Sequence, residues 1–198
     1  MSGRGEGGAA ATATAGNAQT PDEVMFSAAV RAEQARRGSR KSNARRAAAG
    51  GFARELSADV IAFIAARDSA YLATASVDGQ PYVQHRGGPA GFLRVINECT
   101  IAFADFAGSR QYISTGHLAE NERAFLFLMD YAAARRLKLW GCARVVANDP
   151  DLCARLAAPG YRAHVEQAIV FTVRAWDWNC SQHIPKLVPA NAEQSKCV

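Results

Sequence analysis

Three features of this 198-residue chain predict a mainly β fold with peripheral helices. Short runs rich in β-branched and aromatic residues recur between residues 70 and 178, divided by turn residues. Val77-Asp78-Gly79-Gln80 joins two such runs through Asp-Gly, the strongest short signal of an antiparallel hairpin. No GxGxxG follows a strand, which argues against a parallel dinucleotide-binding sheet. The expected architecture is an antiparallel barrel of six or seven strands with helical additions.

Residues 1–19 are rich in Gly, Ala and Thr, and disorder is expected there. Thr20-Pro21-Asp22-Glu23 forms a capping box with proline at the first helical position. The helix it opens carries Met25, Phe26, Ala29 and Val30 on one stripe and fades at Gly38. A second helix follows Ser57, with Val60, Ile61, Phe63 and Ile64 on its apolar face. Strands are expected over 70–76, 81–86, 92–96, 100–107, 123–131, 137–146 and 167–178. A helix from Ser109 to about Ala119 separates two of them, and another begins at Asp149-Pro150 with Leu152 and Leu156 buried. In the last strand Thr172, Arg174, Trp176 and Trp178 share one face. The chain divides into a tail (1–19), a helix with a basic linker (20–56), the barrel (57–185) and a second tail (186–198).

The formal charge of +5 is unevenly placed. Residues 31–54 hold eight arginines and lysines against Glu33 alone, so the remainder of the chain is net negative. That segment suits either a solvated linker or a phosphate-contacting arm. No aromatic residue interleaves with the charges of its run RRGSRKSNARRAAAGG (36–51), which counts against single-stranded nucleic acid and favours the linker. Five cysteines without a CxxC pair suggest reduced thiols in a cytoplasmic protein, with neither disulfides nor a zinc site. No apolar run reaches membrane-spanning length, and the start lacks the apolar core of a secretory signal. HExxH, GxSxG and P-loop patterns are absent, so no metal site, hydrolase or phosphoryl transferase is indicated.

The stretch from Thr100 to Gln111 reads as a buried strand, a turn at Gly108 and the opening of a helix. Ser109 as N-cap and Arg110 in the first turn would offer a hydroxyl, backbone N–H groups and a guanidinium to a phosphate. They equally suit a plain helix cap and a surface ion pair. Arg86 ends another strand, after His85 and before the Gly87-Gly88 loop, whose backbone lets a ligand approach closely. If the two strands are neighbours, Arg86 and Arg110 can hold one phosphate. Trp176 and Trp178 either border a flat ligand or pack in the protein. Composition and spacing stop at a phosphorylated, aromatic ligand.

The segments QHRGGPAGFL (84–93), FADFAGSRQYIS (103–114), LAEN (118–121), KLWGCARVV (138–146) and WDWNCSQHIP (176–185) together resemble the pyridoxamine 5′-phosphate oxidase-like family of FMN-binding proteins. The resemblance extends from about Met25 to Pro185. It implies a six-stranded antiparallel split β-barrel and a homodimer with FMN at the subunit interface. It also implies an FMN-dependent oxidoreductase of unassigned substrate, or a non-catalytic flavin-binding, stress-related module. The same fold elsewhere takes a deazaflavin or haem. Carried onto this chain, the cofactor residues are His85, Arg86, Gly87, Gly88, Ser109, Arg110, Gln111, Trp176, Trp178, Gln182 and His183, with His183 the candidate at the reactive face. Gln111 stands where the oxidase has lysine, and the oxidase's C-terminal Arg-x-His for substrate phosphate has no counterpart after the last strand. Nucleic-acid association through residues 31–54 ranks last, and no membrane partner is expected.

Overall fold

The computed structural model describes residues 19–178 and 180–187. Residues 188–198 of the expected second tail and nearly all of the disorder expected at the start fall outside them. Four helices come first: α1 (Pro21–Met25), α2 (Ala28–Arg36), α3 (Arg40–Ala48) and α4 (Ala58–Ala65). The strands are β1 (Ser69–Ala75), β2 (Pro81–Gly87), β3 (Arg94–Asn97), β4 (Thr100–Phe106), β5 (Arg123–Asp130), β6 (Arg135–Val146) and β7 (Val165–Trp178). Helix α5 (Ile113–Glu120) follows β4, and α6 (Pro150–Leu156) joins β6 to β7.

The N-terminal region differs from expectation. The Thr20 N–H donates to Glu23 Oε2 at 2.9 Å, as a capping box requires, but α1 stops at Met25. Ser27 then caps α2 by accepting from the Val30 N–H at 3.3 Å. The basic segment is helical as well. Gly38, at φ +80°, breaks the chain between α2 and α3, and the Ala, Arg and Lys content favours helix on either side. Neither α2 nor α3 buries a residue. Their attachment to the sheet runs through Arg46, whose Nη2 lies 2.5 Å from Asp177 Oδ1 and whose guanidinium sits 4.4 Å from the Phe52 ring centroid.

All strand pairs are antiparallel, in the order β2-β1-β5-β6-β7-β4-β3. The sheet has seven strands, not the six the resemblance implies. The shortest, β3, has four residues and pairs with β4 alone. The Asp78-Gly79 hairpin forms between β1 and β2, with Gly79 at φ +87°. Backbone pairing does not close the sheet, because β2 and β3 remain edges. Side chains draw it around. Arg86 of β2 forms an ion pair with Asp105 of β4, although four strands lie between β2 and β4 in the sheet order.

The concave interior is apolar. Leu72, Phe103, Leu126, Leu139 and Phe171 are fully buried in one cluster that Val60, Phe63 and Ile64 of α4 complete. Each such side chain stabilises the fold by about 1.5–3 kcal/mol relative to exposure. Strand β4 is buried on both faces. Ile101 and Phe103 enter the main core, while Ala102 and Ala104 meet Leu156 of α6 in a second cluster. Asp149 caps α6 as expected, accepting from the Leu152 N–H at 2.8 Å. Among the described residues no helix is long and apolar enough to cross a membrane.

Candidate functional site

The curling of the sheet opens a cleft of about 730 Å³ between the end of β2, the loop after it and the outer end of β4. His85, Arg86, Gly87 and Gly88 line it, with Phe92, Phe106 and Tyr161. That volume lies within the usual range of about 300–1,000 Å³ for small-molecule sites. Gly88 is required there: a Cβ would come within 2.8 Å of the Phe92 Cβ. The His85 ring meets the Tyr71 ring edge-on, with centroids 5.6 Å apart. Gln84, Arg86 and Phe106 also line a smaller recess, whose far wall is Ser109, Arg110, Gln111 and Tyr112. The fold thus brings Arg86 and the 109–111 stretch to one place.

Ser109 does not cap a helix. Helix α5 starts at Ile113, and the residue before it, Tyr112, is left-handed at φ 53°. Arg110 is also left-handed, at φ 59°. This conformation costs a non-glycine residue about 1 kcal/mol or more, so the loop is held by its surroundings. Part of that hold comes from the Tyr112 hydroxyl, which donates to Glu166 Oε1 at 3.1 Å. Tyr112 and then Glu166 raise the Arg110 pKa above the ordinary arginine value, so Arg110 is a permanent, solvent-facing cation.

Arg86 is the buried cation. Its side chain is 12% exposed and its partner Asp105 is 9% exposed. Asp105 in turn accepts from Gln167 Nε2 at 2.8 Å, and the same Nε2 lies 3.1 Å from Thr115 Oγ1. Ser114 donates to Gln84 Oε1 at 3.0 Å and ties α5 to β2. Among the described residues Arg86 Nε is buried without a hydrogen-bond partner. A buried donor left unpaired costs about 1–3 kcal/mol, and a water, an ion or a ligand group in the cleft would supply the missing acceptor.

The C-terminal residues of the site lie elsewhere in the chain. Trp176 Nε1 donates to the Glu55 carbonyl at 2.8 Å, and Trp178 packs edge-on against Phe63 at 4.9 Å beneath the Arg135 guanidinium. Neither lines the cleft. Gln182 and His183 are exposed in the turn beyond β7, where His183 has φ 61°. His117 of α5 is half-buried, with Nδ1 3.2 Å from Thr74 Oγ1.

Sequence reasoning left Asp105, Gln167 and Tyr161 unassigned. Asp105 did leave a signal, as the one charge in an apolar strand. Gln167 stands directly opposite it in the β4–β7 register, which only the fold reveals. Tyr161 reaches the cleft from the α6–β7 connection and packs on Phe106 with centroids 5.3 Å apart; no pattern marks it in the sequence.

The cleft at the open edge of the split sheet has the size of a small-molecule site and carries Arg86 on its wall. The family model described as pyridoxamine 5′-phosphate oxidase matches residues 56–195, and the chain belongs to that family. HupZ of Group A Streptococcus shares the fold, at 13% identity over 67% of this chain and 98% of that one, with a TM-score of 0.52. A conserved hypothetical protein of Mycobacterium tuberculosis matches at 17% identity over 70% and 95% of the two chains, TM-score 0.47. An FMN-binding protein from Syntrophomonas wolfei matches at 15% identity over 61% and 83%, TM-score 0.45. No curated protein matches the sequence.

Proposed function

We propose that this chain is an FMN-binding flavoprotein, an oxidoreductase of unassigned substrate, that works as a homodimer. The observation carrying this reading is Arg86 Nε: a buried, unpartnered donor on the wall shared by the cleft and its recess. Family membership and the open backbone at Gly87-Gly88 support it. In this reading the FMN phosphate sits in the recess. Arg110 supplies the exposed positive charge there, with Glu166 on the same recess wall, and Ser109 and Gln111 donate hydrogen bonds. Arg86 donates from below through Nε while Asp105 retains its other edge. His85, Gly87 and Gly88 line the body of the cofactor, and Tyr161 and Phe106 border it.

Bound in this way, FMN supplies the electron transfer, and the protein supplies binding, orientation and exclusion of water. The turn bearing Gln182 and His183 serves the flavin of the second protomer, where His183 donates a proton or a hydrogen bond. Trp176 and Trp178 set the path of that turn from within their own protomer.

The test is the visible spectrum of the purified protein, with the released chromophore identified by mass. A flavin spectrum and the mass of FMN support the reading. A colourless protein that also takes up no added FMN overturns it. Reduction by NAD(P)H followed by reoxidation then separates an oxidoreductase from a flavin-binding module.

A further inference from the structure

A second cavity, of about 340 Å³, lies between the N-terminal helices and the outer face of β6 and β7. It shares no lining residue with the cleft. Its centre is a β-bulge. Trp140 pairs with Ala175 and Gly141 with Val173, which leaves Arg174 as the extra residue on β7. Bulges re-aim side chains, and this one turns Arg174 onto the cavity wall. Gly141 makes it possible, because a Cβ there would collide with the Thr172 carbonyl oxygen and approach the Phe171 ring within 2.8 Å.

Arg174 forms no ion pair among the described residues; its Nη1 donates only to Cys142 Sγ, at 3.8 Å. Arg123, on the same wall, likewise has no carboxylate partner among the described residues. Burial and the neighbouring Glu122 push the Cys142 thiol up, so it stays neutral and adds no negative charge. Glu23 is the one acid on the wall, held ionised by the Thr20 N–H. Glu23 on the wall and Glu122 beside Cys142 balance the two guanidiniums, so the cavity lacks the excess positive charge that a phosphate dianion needs, while Arg174, without an ion pair among the described residues, offers its planar donor edge to a single carboxylate. Trp140 supplies an aromatic wall, braced by Phe125 at 5.0 Å between centroids.

We propose that this cavity binds a small aromatic monocarboxylate. Arg174 and Arg123 take the carboxylate, and Trp140 packs along the ring. The proposal does not depend on flavin binding.

Cys142 is a built-in reporter. The full chain is alkylated with iodoacetamide, and each cysteine is read by peptide mass spectrometry, in the presence of benzoate or of its neutral isostere benzamide. At ten times its half-saturating concentration benzoate slows Cys142 labelling about tenfold, while exposed Cys180 is unaffected. Benzamide gives no protection. Arg174→Gln removes the benzoate effect, and Arg174→Lys restores part of it. Equal protection by both compounds, no protection by benzoate, or protection that survives Arg174→Gln overturns the proposal. A Cys142 that stays unreactive in the native protein even at about pH 9.5–10, yet is labelled fully in urea, also overturns it, because the cavity is then closed to small molecules. The comparison of benzoate with benzamide needs no variant, so a misfolded Arg174→Gln leaves the test intact.

Discussion

The basic helices and the cleft both concentrate arginine, and they are built in opposite ways. Between Ala28 and Ala48 the chain carries seven arginines and lysines, the densest charge in the sequence. Yet α2 and α3 bury nothing. Arg36 and Arg37 both turn to Glu33, Arg31 pairs with Asp22, and Arg46 pairs with Asp177. At the cleft only Arg86 and Arg110 are cationic, and they come from segments whose composition is unexceptional. One is buried against an acid with a donor left over, and the other is a strained, exposed cation. Charge density along a sequence therefore says little about where charge converges; the pairing of distant strands decides that.

The largest expected effect lies at the buried pair. Asp105→Ala leaves the Arg86 guanidinium buried without its counter-charge and should lower stability by about 3–5 kcal/mol, read from urea unfolding. Asp105→Asn keeps a polar group for Gln167 and should cost less. If Asp105→Ala unfolds at the same urea concentration as the parent, the buried site and the exposed helical hairpin of α2 and α3 are energetically alike and the contrast fails.

Next comes Arg110→Ala. It touches no core residue, so the unfolding midpoint should hold while the FMN dissociation constant rises about ten- to a hundredfold in a fluorescence titration. Unchanged affinity would remove Arg110 from the phosphate site.

A third prediction concerns acid stability. The Ala133 N–H, and after it Arg67, hold the Asp130 carboxyl below its ordinary pKa. A lowered native pKa means that this stabilisation is complete above the unfolded carboxyl value, about pH 3.9, and is lost as pH falls through the native one. Asp130→Asn should therefore lower the thermal midpoint at neutral pH and narrow its gap to the parent below about pH 3.9. An equal gap at both ends of that range would show that Asp130 acts through packing alone.

The smallest effect is expected from the hairpin. Arg36→Ala combined with Arg37→Ala should leave both the melting temperature and FMN affinity unchanged, since exposed pairs contribute little. A clear loss of FMN affinity would place the hairpin over the cofactor of a second protomer and erase the contrast.

Local signals in the sequence translated well into structure. The capping box, the Asp78-Gly79 hairpin and the Asp149 cap all form, because each depends on neighbours within a few residues. Helix α3 was missed because a run of arginine and lysine has no apolar stripe to announce it, although those residues favour helix. The offset between Ser109 and the start of α5 was missed because Arg110 and Tyr112 adopt backbone angles that their residue types rarely choose. Arg86, Ser109 and Arg110 were legible as a group from their positions at strand ends, on the condition that those ends meet, and Gln111 joined them only through family resemblance. The link from Asp105 to Gln167 spans 62 residues and depends on a strand register that no short window contains.

That link has a consequence for how the chain finds its fold. A half-exposed strand locates its partner by alternation, since a slip of one residue turns its apolar side to water. Strand β4 has no such guide: residues 101 to 105 are all buried, so a shifted β4 would still be greasy on both sides. The carboxylate of Asp105 breaks the degeneracy. In the native alignment it meets Gln167 and Arg86, and one step away it would be a stranded charge. The network that furnishes the cleft thus also keys two strands together like the single notch on an otherwise smooth shaft. Substitutions that retune ligand binding at Asp105 should therefore raise the yield of misaligned, aggregation-prone chains even where the surviving native fraction stays active.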